Sequence, residues 1–303
     1  NSKQTLSQIG KKVRLAKNVV AYRIKKLKEK NIINNFYTII DASRLGYKSF
    51  RIYINYQYTN PELEKEILDY FIKSRYTWWI GSIEGKYDIG MHIWIKEPAE
   101  FSNFWEKTLK KYRYYFEKQI ITLDFKTLHF RYSYLTNQKY GDRDIEITGN
   151  SRKVDGLDEI DFNILKIIAK NARLPTTEIA RKIKTTSTVI RYRIKKLEKL
   201  KVIKGYRTSI NYSKLGYQHF KVNIYFKEYD KKDHIISYLK NNPNLIYIDR
   251  SAGYADLELE FHFKTLKDMH EIIKDLKGKF PGKIKNYDFF NYTKINKMQY
   301  MPK

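Results

Sequence analysis

The sequence predicts an α+β chain in which one module occurs twice: a helical unit with a small β wing, followed by a βαββαβ unit. Three observations predict it. The run Tyr22-Arg23-Ile24-Lys25-Lys26-Leu27 returns as Tyr192-Arg193-Ile194-Lys195-Lys196-Leu197, 170 positions later. Within each copy the apolar pattern switches from helical spacing to strand alternation. The 303 residues, 42% hydrophobic and 16% aromatic, are enough for two to four domains with real cores.

The same offset aligns Ile9 with Ile179, Val13 with Ile183, Ile33 with Ile203 and Leu45-Gly46-Tyr47 with Leu215-Gly216-Tyr217. Gly85-x-x-Asp88 matches Gly253-x-x-Asp256 after a two-residue slip. A period this long excludes a solenoid and leaves a tandem duplication.

The second copy reads most completely. Leu157-Asp158 opens a helix with apolar positions Ile160, Ile164, Leu165 and Ile168 and an acidic first turn. Asn171 to Leu174 is a break, and Pro175-Thr176-Thr177 starts a short helix through Ile183. Thr185-Thr186-Ser187 caps a third helix whose apolar face is Ile190, Ile194 and Leu197. Val202 to Arg207 alternates about a Lys204-Gly205 turn and reads as a wing, which completes a winged helix-turn-helix. The first copy begins at the break, without an opening helix. It carries Asn34-Asn35 at the wing turn, where Asn shares glycine's tolerance of positive φ.

Each winged unit is followed by strand, helix, two strands, helix and strand. In copy one these are Phe50 to Tyr56, Pro61 to Ile72, Trp78 to Ile83, Ile89 to Ile95, Pro98 to Tyr112 and Ile120 to Tyr134. In copy two they are Phe220 to Phe226, His234 to Leu239, Leu245 to Ser251, Leu257 to Phe263, Leu266 to Leu276 and Ile284 to Tyr292. The order is that of a ferredoxin-like fold. The expected domains are a winged helix-turn-helix at 1–46, a ferredoxin-like unit at 47–135, a polar linker at 136–156 with Asp142, Asp144 and Glu146, a second winged unit at 157–216 and a second ferredoxin-like unit at 217–303.

Sixty Lys and Arg against 33 Asp and Glu give a net charge of +27. That excess points to a polyanionic partner, nucleic acid before an anionic membrane, because no long basic amphipathic helix is visible. No run of eighteen apolar residues reads as a membrane span, and no apolar N-terminal region reads as a signal peptide. Asn1 is not an initiator Met, so upstream residues are expected. Cysteine is absent, which excludes disulfides and thiolate chemistry and fits a cytoplasmic, nucleoid-associated protein. His92, His129, His219, His234, His262 and His270 show no metal-ligand spacing, and His92 and His262 read as strand residues. No phosphate loop, dinucleotide fingerprint, nucleophile elbow or zinc-protease motif is present. No catalytic residue, metal or cofactor is therefore expected.

These motifs resemble the Lrp/AsnC family of transcription regulators over nearly the whole chain, twice. Leu157-Asp158-x-x-Asp161-x-x-Ile164-Leu165 resembles its first-helix signature, and Arg193 to Glu198 with Val202 to Tyr206 its recognition-helix-to-wing signature. The βαββαβ unit resembles its RAM domain, which implies dimerisation and effector sensing. Two copies per chain and so basic a charge depart from the family pattern. The first implies an intramolecular pseudo-dimer in place of the usual assembly, with further homo-oligomerisation open. The second raises an architectural role on chromatin beside promoter-specific regulation.

The expected partner is double-stranded DNA. Residues 11–30 and 181–201 each hold nine Lys/Arg and one Glu, a charge of +8 per recognition segment. The candidate contacts are Lys17, Asn18, Tyr22, Arg23, Lys25 and Lys26 in copy one. In copy two they are Ser187, Thr188, Arg191, Tyr192, Arg193, Lys195 and Lys196. Asn18 suits adenine and Arg191 guanine, whereas Lys25 and Lys195 suit phosphates. Tyr22 and Tyr192 are read equally as DNA contacts or as packing against the wing. Gly85, Asp88, Gly253 and Asp256 fall in the turn that resembles the family's effector region, although a Gly-x-x-Asp in a hairpin is more often ordinary turn chemistry. Trp78 and Trp79 are expected to pack on the sheet or an interface. The alternatives to DNA binding are an RNA- or transcription-machinery-binding factor and, by fold analogy, a tetrapyrrole decarboxylase.

Overall fold

A computed structural model describes residues 2–136 and 145–301. Asp142 and Asp144 of the expected linker lie outside the described residues.

The first winged unit comprises α1 (Leu6–Val13), α2 (Lys17–Glu29) and β1 (Ile33–Ile40). The first RAM-like unit follows as β2 (Lys48–Tyr56), α3 (Pro61–Lys73), β3 (Thr77–Glu84), β4 (Ile89–Ile95), α4 (Pro98–Tyr112) and β5 (Phe116–His129). A short strand, β6 (Glu146–Thr148), leads to the second winged unit: α5 (Glu159–Lys170), α6 (Thr176–Ile183), α7 (Ser187–Lys199) and β7 (Ile203–Ile210). The second RAM-like unit is β8 (Gln218–Phe226), α8 (Lys232–Leu239), β9 (Leu245–Ala252), β10 (Leu257–Phe263), α9 (Leu266–Lys279) and β11 (Ile284–Met298). Among the described residues no helix is long and apolar enough to cross a membrane.

Local chemistry sets the helix ends. Thr5 with Gln8, and Asp158 with Asp161, form capping boxes on α1 and α5. Thr186 caps α7 through the Val189 N–H, as its sequence position suggested. The helix-turn-helix bend is the same in both copies: Arg14 and Lys184 take the left-handed conformation, at φ 54° and 59°.

The expected wings are not hairpins. β1 and β7 are single strands that pair with each other, antiparallel, from Ile33 opposite Ile210 to Ile40 opposite Ile203. Asn34-Asn35 and Lys204-Gly205 therefore lie within strands, at none of the positive φ angles a turn would need. Alternation reads the same whether a strand's partner is three residues away or 170. The resulting ribbon joins the two copies. Phe36, Ile40 and Leu45 of the first copy complete the core under α5, α6 and α7, and Thr38 donates to the Ile168 carbonyl on α5.

The RAM-like units do not form separate sheets. Strand order runs β2-β4-β3-β11-β8-β10-β9-β5, and β5 pairs back onto β2, which closes an eight-stranded barrel from both copies. The long strands β5 and β11 make the joins. The N-terminal part of β5 pairs with β2 and its C-terminal part with β9, while β11 does the same with β8 and β3. α3 and α4 cover one half of the outer surface through Ile67, Phe71, Phe104 and Trp105. In the other half Ile235, Leu239, Met269 and Leu276 of α8 and α9 do so.

The expected linker is partly a docked strap. β6 pairs with the end of β5, and the buried Asp41 carboxylate accepts from the Gly149 N–H and Ser151 hydroxyl. Gly149 sits at φ 87°, and a Cβ there would lie 2.3 Å from the Phe125 carbonyl oxygen, so glycine is required.

Candidate nucleic-acid interface and central cavity

α2 and α7 are the second helices of the two helix-turn-helix units and present basic side chains to solvent. Lys17, Asn18, Tyr22, Arg23, Lys25 and Lys26 are all exposed in copy one. In copy two Thr188, Arg191, Tyr192 and Lys195 are exposed and Ser187 is half-buried. Tyr22 and Tyr192 stand out from their helices at 60% and 69% exposure, so packing against a wing is not their role.

Two sequence candidates serve the fold instead. Arg193 pairs with Asp158 and Asp161, and Lys196 with Asp161 and the Gly156 carbonyl. Together they tie α7 to the N-terminus of α5. The hydrogen bond from Arg193 holds the Asp158 carboxyl below its ordinary range. Among the described residues Arg23 and Lys26, at the same positions in copy one, have no such carboxylates on another helix; Lys26 reaches Glu29 and the Tyr22 ring on its own helix.

Gly85 and Gly253, at φ 115° and 96°, turn the β3–β4 and β9–β10 hairpins. Asp88 accepts from the Tyr56 N–H and Asp256 from the Phe226 N–H, so each carboxylate fastens a hairpin to the neighbouring strand. None of these four residues lines the chain's large cavity, which opens at the opposite end of the barrel.

That cavity has a volume of about 890 Å³. Both RAM-like units, the β1–β7 ribbon, the strap and the segment after β11 contribute walls. One wall is a run of aromatic rings: Tyr37 stacks on Tyr300 at 5.2 Å, Tyr300 lies 4.9 Å from Trp78, and Trp78 lies 5.0 Å from Trp94. Trp78 and Trp79 thus lie at the interface between the halves. His92, His129, His219 and His262 also line it. Burial pushes His129 down to about 3 and His262 well below its usual value, so both are neutral imidazoles. Among the described residues no cluster of side chains suits a metal ion.

The barrel interior, from the cavity wall inward, is charged, which the sequence reading missed. Arg51 reaches Asp124, Asp249 and Glu258; Lys221 reaches Asp249 at 2.7 Å and Glu258 and Glu260 at 3.1 Å. His92 contacts Asp124 and His219 contacts Glu260. Burial opposes ionisation of Glu260, but Lys221 and His219 outweigh it and hold the carboxyl at about 2. The signal was available: Lys221-x-Asn223 and Glu258-x-Glu260 alternate with apolar residues, the pattern of a solvated strand face. Barrel closure buries that face.

A family described as winged helix-turn-helix DNA-binding matches residues 157–204. The chain is 33% identical over 126 residues to the HTH-type transcriptional regulator LrpA of Pyrococcus horikoshii, a match covering 42% of this chain and 89% of LrpA. It is 31% identical over 128 residues to another HTH-type transcriptional regulator of that organism, covering 41% of this chain and 83% of the relative. Among solved structures, the siroheme decarboxylase NirDL in complex with an iron-uroporphyrin III analogue shares the fold. It has a TM-score of 0.65 and 12% identity, over 99% of this chain and 88% of that one.

Proposed function

The chain belongs to the Lrp/AsnC family of HTH-type transcriptional regulators, and on that premise we propose that it binds double-stranded DNA through α2 and α7 as a single-chain pseudo-dimer. One observation carries the reading: the same exposed basic face recurs on both second helices, and the β1–β7 ribbon holds the two in one frame. Lys17, Asn18, Thr188 and Arg191 near the helix N-termini face the bases, with Ser187 at the start of α7. Arg23, Lys25, Lys26 and Lys195 hold phosphates, flanked by Tyr22 and Tyr192. Such an arrangement suits two successive major grooves about 34–36 Å apart. Because Asn18 corresponds to Thr188 and Ala21 to Arg191, an imperfect palindrome is the preferred site. The role is regulatory or chromatin-organising rather than enzymatic, in the nucleoid.

The test is duplex binding by the Lys25→Ala/Lys26→Ala/Lys195→Ala variant. Affinity should fall for all sequences, and the log–log salt slope should flatten by roughly 0.9 for each phosphate no longer neutralised. Unchanged affinity and slope would remove this face from the interface. An RNA duplex of equal length should compete poorly.

A second reading, tetrapyrrole decarboxylation, draws on the whole-chain likeness to NirDL. The carboxylates lining the cavity, Asp124, Asp249 and Glu260, suit a polycarboxylated substrate badly. A Soret shift on adding a uroporphyrin, followed by loss of carboxyl groups from it, would favour this reading.

A further inference from the structure

We propose that Tyr22 and Tyr192 read thymine: each lays its ring against the 5-methyl group of a thymine in the major groove, at the same place in the two half-sites. This deepens the DNA-binding reading and rests on it.

The fold gives these two side chains no task. Each stands two residues after a buried position, Val20 or Ile190, and so points about 200° away from it around the helix. They are 60% and 69% exposed. Among the described residues Tyr192 has neither a hydrogen bond nor a ring partner, and Tyr22 meets only Lys26 Nζ, 5.7 Å from its ring centre. One exposed tyrosine is ordinary on a protein surface. The same tyrosine in the middle of both basic stripes is a feature of the stripe.

The neighbours fix where each ring goes. Asn18 precedes Tyr22 by four residues and Lys25 follows it by three; Thr188 and Lys195 flank Tyr192 at the same spacing. Side chains so spaced share one helix face. When that face enters a groove, Lys25 and Lys195 reach phosphates at the rim, and the position between them and the helix N-terminus meets the base edges.

The chemistry selects the group. The edges of the major groove are donors and acceptors with one apolar projection, the 5-methyl of thymine. A phenol ring carries no charge for a phosphate, and its apolar body gains most from covering that methyl.

The duplication says where that base lies. The copies differ at Asn18 and Thr188 and at Ala21 and Arg191, but agree at Tyr22 and Tyr192 and at Lys25 and Lys195. Residues that differ give each half-site its own bases; residues that agree give both a common one. The two lysines hold phosphates, which carry no sequence, so the common base falls to the tyrosines. The imperfect palindrome then keeps thymine at one symmetric pair of positions while others diverge.

For the test, the full chain selects its preferred duplex from a random pool. Each thymine of that duplex is then replaced singly by deoxyuridine, which removes the methyl and keeps the pairing. One thymine in each half-site should respond, with affinity falling about fourfold, the worth of one buried methyl-sized group. Tyr22→Ala should abolish the response in one half-site only, and Tyr192→Ala in the other, with both variants unfolding at the parent's midpoint. Tyr22→Phe and Tyr192→Phe should keep both responses, because the ring makes the contact. Responses that survive the alanine variants overturn the assignment. Responses lost in the phenylalanine variants also overturn it, in favour of a hydrogen bond from the hydroxyl. A duplex bound tightly but indifferent to every deoxyuridine overturns thymine reading and leaves DNA binding standing. Failure to bind any duplex overturns both.

Discussion

The two halves of the barrel place unequal charge in the space they enclose. At one matched pair of hairpin positions the first half has Gly81 opposite Gly90, and the second has Asp249 opposite Glu258. At another, Arg51 stands opposite His92, and Lys221 opposite Glu260. The first half thus brings Arg51 with a single carboxylate, Asp124, into a space that the second fills with three carboxylates and one lysine. Two second halves facing each other would bury six carboxylates against two lysines, which desolvation makes prohibitive. Duplication freed each copy to become the other's complement, which two identical subunits related by symmetry cannot do.

The largest effect should come from breaking that complement. Lys221→Met leaves Asp249, Glu258 and Glu260 short of a buried cation and should cost about 3–5 kcal/mol in denaturant unfolding. A variant with an unchanged midpoint would show that the network is neutral to stability. Because Glu260 is held down near 2, its contribution is full above the ordinary carboxylate range and is lost as pH falls toward that value. The Lys221→Met deficit should therefore shrink in acid.

The winged units differ in how well the recognition helix is covered. Leu197 is fully buried beside α5, whereas Leu27 at the matching position is 36% exposed. Leu197→Ala should cost about 2–5 kcal/mol, and Leu27→Ala less than about 1 kcal/mol. Equal costs would mean that Leu27 is covered by something beyond the described residues.

The difference extends to base reading. Arg191 is exposed near the start of α7, where copy one has Ala21. Arg191→Ala should relax preference at one base pair of one half-site, by about 1–3 kcal/mol against the wrong base. Selection of binding sites by the variant checks this. Equal weakening of every sequence would reassign Arg191 to a phosphate.

Much of this was legible because it is local. Caps such as Thr186, the helical spacing of Ile190, Ile194 and Leu197, and the repeated basic run fix elements without reference to distant residues. What was illegible is set by partners far along the chain. Ile203–Ile210 alternates as a hairpin arm would, yet it pairs with Ile33–Ile40. Lys221 and Glu258 alternate as an exposed face would, until closure of the barrel buries them. Arg193 looked free because its partners, Asp158 and Asp161, stand at the start of a different helix.

Arg193 gives the finest test of how the copies diverge. Asn caps helices about as well as Asp, so Asp158→Asn keeps the cap on α5 and removes the charge that holds Arg193. The stability change should be small, about 0–1 kcal/mol, because the Asp158 side chain is half exposed. Its sign follows from the lowered carboxyl: the pairing is complete above the ordinary carboxylate value and disappears as pH falls through the depressed one. The variant should therefore differ from the parent at neutral pH and converge with it in strong acid. Release of Arg193 should also make copy two resemble copy one, where Arg23 is already exposed. A freed guanidinium neutralises one more phosphate, so the salt slope of duplex binding should steepen by roughly 0.9. A slope that stays constant would mean that Asp161 alone keeps Arg193 on α5, and that the second copy has committed this arginine to its fold.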